Sequence, residues 1–286
     1  MSFMNSLLVT EMYVALDVPV PLVSPLQLWV NGVSHGLAML YQEPEEAFLE
    51  ARFGSSSGNL YKCDAGLAYR GPARSAYEGH GFEQASGDGD WSDLLALVEA
   101  VHAGNLSQVE ALLDVDRFLR AQAVESVFAD GDGFACSGHN YFLFFQNGSA
   151  TFFRHDLDDS FGLKGNDSPC RTKAVSYWAR LDLAGWGTAV CPNPLAALVF
   201  SRPAWRARFL SYAALLLQKV VGAPTLRQPQ SPLWRRIQLF YRQLAPLLVE
   251  DRFFPLDLQD CGGFDAWYAL QETQFAAYVD ERLKTF

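Results

Sequence analysis

Three oxygen-bearing side chains set the chemistry of this sequence: Asp132, Asn140 and Asp156. Asp132 lies in Asp130-Gly131-Asp132-Gly133-Phe134 and Asn140 in His139-Asn140-Tyr141. Asp156 opens Asp156-Leu157-Asp158-Asp159-Ser160-Phe161-Gly162. Between Asn140 and Asp156 run two apolar stretches, Tyr141 to Phe145 and Ala150 to Phe153, flanking Asn147-Gly148. That dipeptide is the signal of a type I′ hairpin turn. Antiparallel pairing brings the start of one strand beside the end of the next, so Asn140 and Asp156 share one mouth of the hairpin. Asp132, eight residues before Asn140, reaches the same end. A carboxylate, an amide and a second carboxylate in this order suit phosphoryl transfer. One Asp accepts the proton of the substrate hydroxyl, while an Asn and a further Asp hold Mg²⁺ against the phosphates. Positioning and charge neutralisation do most of that work, so no nucleophilic Cys or Ser is required.

The elements that must present these groups show as periodicities. Residues 5–16 read as a short helix with Leu7, Leu8, Met12 and Ala15 on one face, ended by Pro19, Pro21 and Pro25. Leu26 to Val30 and Gly36 to Tyr41 flank Asn31-Gly32 and read as a hairpin with a slightly long connection. Glu43-Pro44-Glu45-Glu46 opens a helix to Arg52, with proline and acids in its first turn. Asn59 to Cys63 reads as a strand, and residues 71–90, rich in Gly, Ser and Asp, as an exposed loop. Trp91, Leu94, Leu95, Val98 and Val101 recur at helical spacing before Gly104, and Ser107 to Leu113 follows as a short helix. Asp114 caps the next helix, whose apolar face is Val115, Phe118, Leu119, Ala123, Val127 and Phe128. Beyond residue 193 helices are predicted over 193–201, 203–220, 232–250 and 264–284. A small β-rich start, a helical middle, a hairpin carrying acids and a helical end make an α+β fold.

Composition narrows the function further. Half of the 286 residues are hydrophobic and 14% are aromatic, which excludes a disordered chain. The longest apolar stretch, Phe209 to Val221, is cut by Ser211, Gln218 and Lys219, and falls short of the roughly 20 residues of a membrane span. No basic residue precedes the apolar start and Glu11 interrupts it, so no secretory signal is expected and the cytoplasm is the default compartment. The net charge of −10 divides into −15 over residues 1–170 and +5 over the remainder. An acidic chain lacks the Lys and Arg that a nucleic-acid partner demands, whereas carboxylates suit hard cations. The five cysteines, Cys63, Cys136, Cys170, Cys191 and Cys261, form no C-x-x-C and are expected to be free thiols.

Four blocks in order and spacing resemble the CotH-type kinases, named for the spore-coat protein H that phosphorylates other coat proteins. Leu28-Trp29-Val30-Asn31-Gly32 with Gly36 matches the family's strand–turn block. Phe48-Leu49, Phe53-Gly54 and Gly58-Asn59-Leu60-Tyr61-Lys62 match its second block. Asp132-Gly133-Phe134 with Asn140-Tyr141 matches the third, and Asp156-Leu157-Asp158 with Ser160-Phe161-Gly162 the fourth. Asn193-Pro194-Leu195 and Glu281-Arg282 also fit, so the resemblance covers about residues 5–284. It implies a two-lobed, protein-kinase-like fold with a β-rich nucleotide-covering part over 1–85 and a helical part over 86–286. It further implies transfer of the ATP γ-phosphate to Ser or Thr of a protein substrate, a coat or surface protein, with Mg²⁺ or Mn²⁺. Asp132 would be the catalytic-loop aspartate and Asp156 a metal ligand, with Asn140 and Asp158 as second ligands. Lys62 would contact the nucleotide as a point charge.

The chain departs from the family at Gln42, where the family carries Glu, and at Arg154-His155, where it carries Pro-Trp. It also begins without the family's upstream strands, which implies a shortened front lobe. These departures keep a second reading open, a non-catalytic pseudokinase or interaction module. Other readings are weaker. An EF-hand through Asp156, Asp158, Ser160 and Asp167 fails because Phe161 stands where Gly is needed. Carboxylates two apart on one loop rarely flank a sugar bond from opposite sides. His139 and His155 lack the helical partner of a metal site. Asn105 and Asn147 head glycosylation sequons but suit a helix cap and a turn. Arg202, Arg206, Arg208, Arg235 and Arg236 read as a solvated helix face.

Overall fold

The computed structural model describes residues 2–161, 193–222 and 231–249, together with 269, 273 and 276–279. Gly162, Asp167, Cys170, Cys191, Cys261, Glu281 and Arg282 lie outside the described residues. The first helix, α1 (Ser2–Ala15), precedes a two-stranded sheet of β1 (Val23–Val30) and β2 (Val33–Tyr41). Their connection is the two-residue turn Asn31-Gly32, both at positive φ (50° and 77°), shorter than the sequence spacing predicts. Pro25 lies inside β1, an edge strand, where its missing N–H costs no ladder bond.

Next come α2 (Glu46–Phe53), β3 (Asn59–Cys63), β4 (Phe82–Ser86), α3 (Ser92–His102), α4 (Leu106–Leu112), α5 (Val115–Val127) and α6 (Phe134–Ser137). The hairpin β5 (Tyr141–Gln146) and β6 (Ser149–Arg154) turns at Asn147-Gly148, again at positive φ (54° and 81°). The helices α7 (Pro194–Ser201), α8 (Pro203–Leu216, continued by a π turn over Leu217–Val221) and α9 (Pro232–Val249) follow. The architecture is α+β with small antiparallel sheets. The expected loop over 71–90 is a finding of its own: it holds β4, whose Phe82 is buried while Glu83, Ala85 and Ser86 are exposed. So short an edge strand leaves little period-2 signal.

The second sheet runs β4-β3-β5-β6, all antiparallel, and joins residues from both sides of position 85. Both faces of its β5–β6 half are covered. One face presents Leu60, Phe142, Phe144 and Phe153 to Phe48 and Leu49 of α2. Phe142 and Phe153 stack at 5.2 Å, and Phe48 meets Phe153 at 5.2 Å. The other face presents Tyr141, Leu143 and Phe152 to the main core, where Phe152 meets Phe118 of α5 at 5.3 Å and Phe134 of α6 at 5.1 Å. Burial on both faces is why β5 reads Tyr-Phe-Leu-Phe-Phe, an unbroken apolar run rather than an alternation. Each buried Phe contributes about 1.5–3 kcal/mol, which makes this hairpin a rigid platform for the groups at its mouth.

Candidate functional site

The helix α5 starts where Asp114 accepts from Arg117 N at 3.0 Å, the cap predicted from sequence, and it delivers Glu125 to the core. Beyond it, Asp130-Gly131-Asp132-Gly133 forms a tight loop. Arg154, the last residue of β6, lies beneath this loop with no exposure. Its guanidinium donates to Glu125 Oε2 at 3.1 Å and to Asp130 Oδ2 at 2.7 Å. Asp130 Oδ1 accepts from Asp132 N at 3.1 Å, and Glu125 Oε1 accepts from Ala135 N at 2.7 Å. One buried cation therefore fixes two carboxylates, and these hold the loop on either side of Gly133. Gly133 is required there. A Cβ at that position would sit 2.3 Å from Arg154 Nη1 and 2.5 Å from Glu125 Oε1. Burial raises the carboxyls of both acids, Asp130 to about 7, against the lowering pull of Arg154. Two buried carboxyls share one guanidinium, so the cluster is short of positive charge.

The loop and the hairpin mouth then meet. Asn140 Nδ2 donates to Asp132 O at 3.2 Å and to Asp132 Oδ2 at 3.3 Å. Asn140 N donates to Asp64 Oδ1 at 3.3 Å, and Asn140 O accepts from His155 N at 3.2 Å. Asn140 and Asp156 both adopt left-handed backbone, φ 61° and 52°. Such conformations cost about 1–3 kcal/mol at non-Gly residues and concentrate where side chains are aimed for function. Of the three residues singled out from sequence, Asp132 and Asn140 are in contact, and Asp156 lies just past the end of β6, across the hairpin mouth from Asn140. Asp132 touches Asn140, and its charge is one of those raising Asp156.

Asp156 is exposed and Asp158 partly buried, and each carboxyl acts on the other. Burial first, then the charge and hydrogen bond of Asp158, push Asp156 up to about 6. Asp158 is raised too, by burial first and then by Asp159. Two neighbouring carboxyls that raise one another gain from added positive charge, which a divalent cation would supply. Among the described residues no three His, Cys, Asp or Glu side chains form a metal cluster on their own. Mg²⁺ does not need one: it takes one or two carboxylates and completes its shell with water and substrate phosphates. The donor set, two carboxylates and the Asn140 amide oxygen, is hard oxygen throughout and fits that ion. Asn5 of α1 steadies this segment, its Nδ2 donating to Asp158 O at 2.8 Å and Ser160 O at 3.2 Å.

Beside the carboxylates a cavity of about 440 Å³ opens under the β1–β2 sheet. Val20, Pro21, Val23, Phe142 and Leu157 give it apolar walls, and Tyr41, Lys62, His155 and Asp156 line it as well. Lys62 is placed there by the β3 register, Lys62 opposite Phe142 opposite Phe153. It has no ion-pair partner among the described residues. Burial, then the charges of Arg154 and Lys62, lower His155 to about 4, which keeps it neutral. Gln42 lines this cavity too. Its Oε1 accepts from Leu22 N at 3.2 Å and straps β2 to the segment before β1.

Sequence reasoning missed Glu125, Asp130, Arg154 and Asn5. Arg154 looked only like a departure, because one Arg at a strand end carries no signal of burial. Asn193 was singled out, and it caps α7 while its Nδ2 donates to Phe134 O at 2.9 Å, pinning α6. The thiol expectation needs a correction. Cys63 is free and buried, but Cys136 of α6 is disulfide-bonded. Distance along the chain did not measure distance in space. The arginines are not simply solvated either: Arg202 pairs with Glu110, Arg208 with Asp116 and Arg236 with Glu11. No helix among the described residues is long and apolar enough to cross a membrane.

Comparison with known proteins gives one family. The family described as CotH kinase protein matches residues 1–238 of the 286. No curated protein matches the chain.

Proposed function

We propose, from the premise that this chain belongs to the CotH kinase protein family, that it transfers the γ-phosphate of ATP to Ser or Thr of a protein substrate. The observation that supports this reading is that Asp156, whose neighbour in charge is Asp158, lines one cavity with Lys62, while Asn140 at the same hairpin mouth bonds Asp132. In this reading the nucleotide lies in the cavity, its base against Val20, Val23 and Leu157. Asp156, Asp158 and Asn140 would hold Mg²⁺ or Mn²⁺, which would supply charge neutralisation for the phosphates, and Lys62 adds a point charge. Asp132 orients the attacking hydroxyl and takes its proton. The hydrogen bond from Asn140 aims that carboxylate. Residues 1–85 roof the nucleotide and 86–286 carry the catalytic loop and metal hairpin, with the shared sheet as the seam. A coat or surface protein is the substrate class that the family's name suggests.

A specific observation supports a second reading, a non-catalytic relative. Kinases need the phosphate-binding Lys paired with a Glu, and Lys62 has no such partner among the described residues. Radiolabelled ATP decides between them. Phosphate transfer by the wild type, lost in Asp156→Ala and in Asp132→Asn, supports the enzyme. Transfer that persists in Asp156→Ala sinks the assignment. A folded wild type with no transfer to itself or to extracts supports the non-catalytic reading.

A further inference from the structure

We propose that the hydroxyl of Tyr41 is a phosphate-binding group, donating a hydrogen bond to a phosphate oxygen of the nucleotide whose cation Asp156 and Asp158 hold. The inference rests on the kinase reading and deepens it.

Tyr41 ends β2 and lines the same cavity as Lys62 and Asp156. Its hydroxyl lies 3.4 Å from Ser6 Oγ, at the outer edge of hydrogen bonding, so its donor is weakly engaged. Ser6 belongs to α1, and the preceding residue, Asn5, grips the backbone of Asp158 and Ser160. Two consecutive residues of one helical turn therefore neighbour the tyrosine hydroxyl and the carboxylate loop, which brings the hydroxyl near that loop. The charges of Asp158 and Asp156 both act on the hydroxyl.

Neutral donors at this cavity come from Ser6, Gln42 and Tyr41. Lys62 reaches the cavity from β3, and the Gln42 amide oxygen accepts from Leu22 N. A phenol donates one hydrogen bond and brings no charge to compete with the cation. Hydrogen bonds to charged acceptors are the strong ones. The side chain is 39% exposed, so removing one oxygen leaves its packing intact.

The test measures binding of ATP, ADP and adenosine, each with Mg²⁺, by calorimetry to wild type and Tyr41→Phe. The unfolding midpoint of ligand-free Tyr41→Phe is expected within about 2 °C of wild type, less than a 1 kcal/mol change would give. The Kd for ATP is expected to rise about ten-fold, the size of one hydrogen bond to a charged group. The Kd for adenosine is expected to stay the same. An unchanged Kd for ATP overturns the inference, and so does an equal loss for adenosine, which would put the contact on the base or ribose. No ATP binding by the wild type overturns the kinase reading and the inference together. Binding by the wild type that Tyr41→Phe matches overturns the inference alone.

Discussion

Arg154→Met removes the cation on which the loop from Asp130 to Gly133 is built while keeping most of the side-chain volume. Two carboxylates, Glu125 and Asp130, are then left buried without a partner. Breaking a buried pair from one side costs about 3–5 kcal/mol. At about 2–4 °C per kcal/mol for a chain of this size, the unfolding midpoint falls by about 6–20 °C. The loss depends on pH, and its sign follows from the carboxyls. Asp130 is raised in the folded protein to about 7 from an ordinary 3.8, so the folded state favours its protonated form. That contribution is full below the unfolded value and is lost as pH rises through the folded one. Without Arg154 both carboxyls rise further, so the variant is hurt least near pH 5 and most near pH 8. Urea unfolding of both proteins at those two pH values measures it. A difference that is the same at pH 5 and pH 8, or a variant as stable as wild type at pH 8, refutes the buried-ion account of the loop.

Three further outcomes are expected. Gly133→Ala forces a methyl between Arg154 and Glu125, which packing and hydrogen bonds hold in place, and destabilises by about 1–3 kcal/mol in thermal unfolding. Asp114→Ala removes the cap of α5 and costs about 1 kcal/mol, read as a shift of the urea midpoint with an unchanged slope. Affinity for Mg²⁺ with ATP weakens as pH falls through about 6, because protons then compete for Asp156 and Asp158; metal titrations at pH 5.5 and 8 check the direction.

The strongest sequence signals were the ones set by local physics. Asn31-Gly32 and Asn147-Gly148 turn hairpins because Asn and Gly tolerate positive φ. Asp114 and Asn105 cap helices through their own side chains, as their positions predict. That Asn140 and Asp156 flank one mouth follows from strand pairing once the hairpin is recognised. What stayed hidden depends on long-range burial. Arg154 meets Glu125 and Asp130 across 29 and 24 residues, and Asn5 meets Asp158 across 153. No spacing rule reports contacts of that kind. β4 was missed because it is a short edge strand in a polar stretch, paired only with β3. The disulfide at Cys136 was missed because no short cysteine spacing marks it.

The central claim is that Asp156 and Asp132 divide the work, one holding metal and nucleotide, the other serving the acceptor hydroxyl. Calorimetric titration of ATP into wild type, Asp156→Ala and Asp132→Asn, with and without Mg²⁺, tests it directly. The account predicts metal-dependent binding by wild type and Asp132→Asn, and none by Asp156→Ala. Metal-dependent ATP binding that survives in Asp156→Ala at wild-type affinity would contradict it.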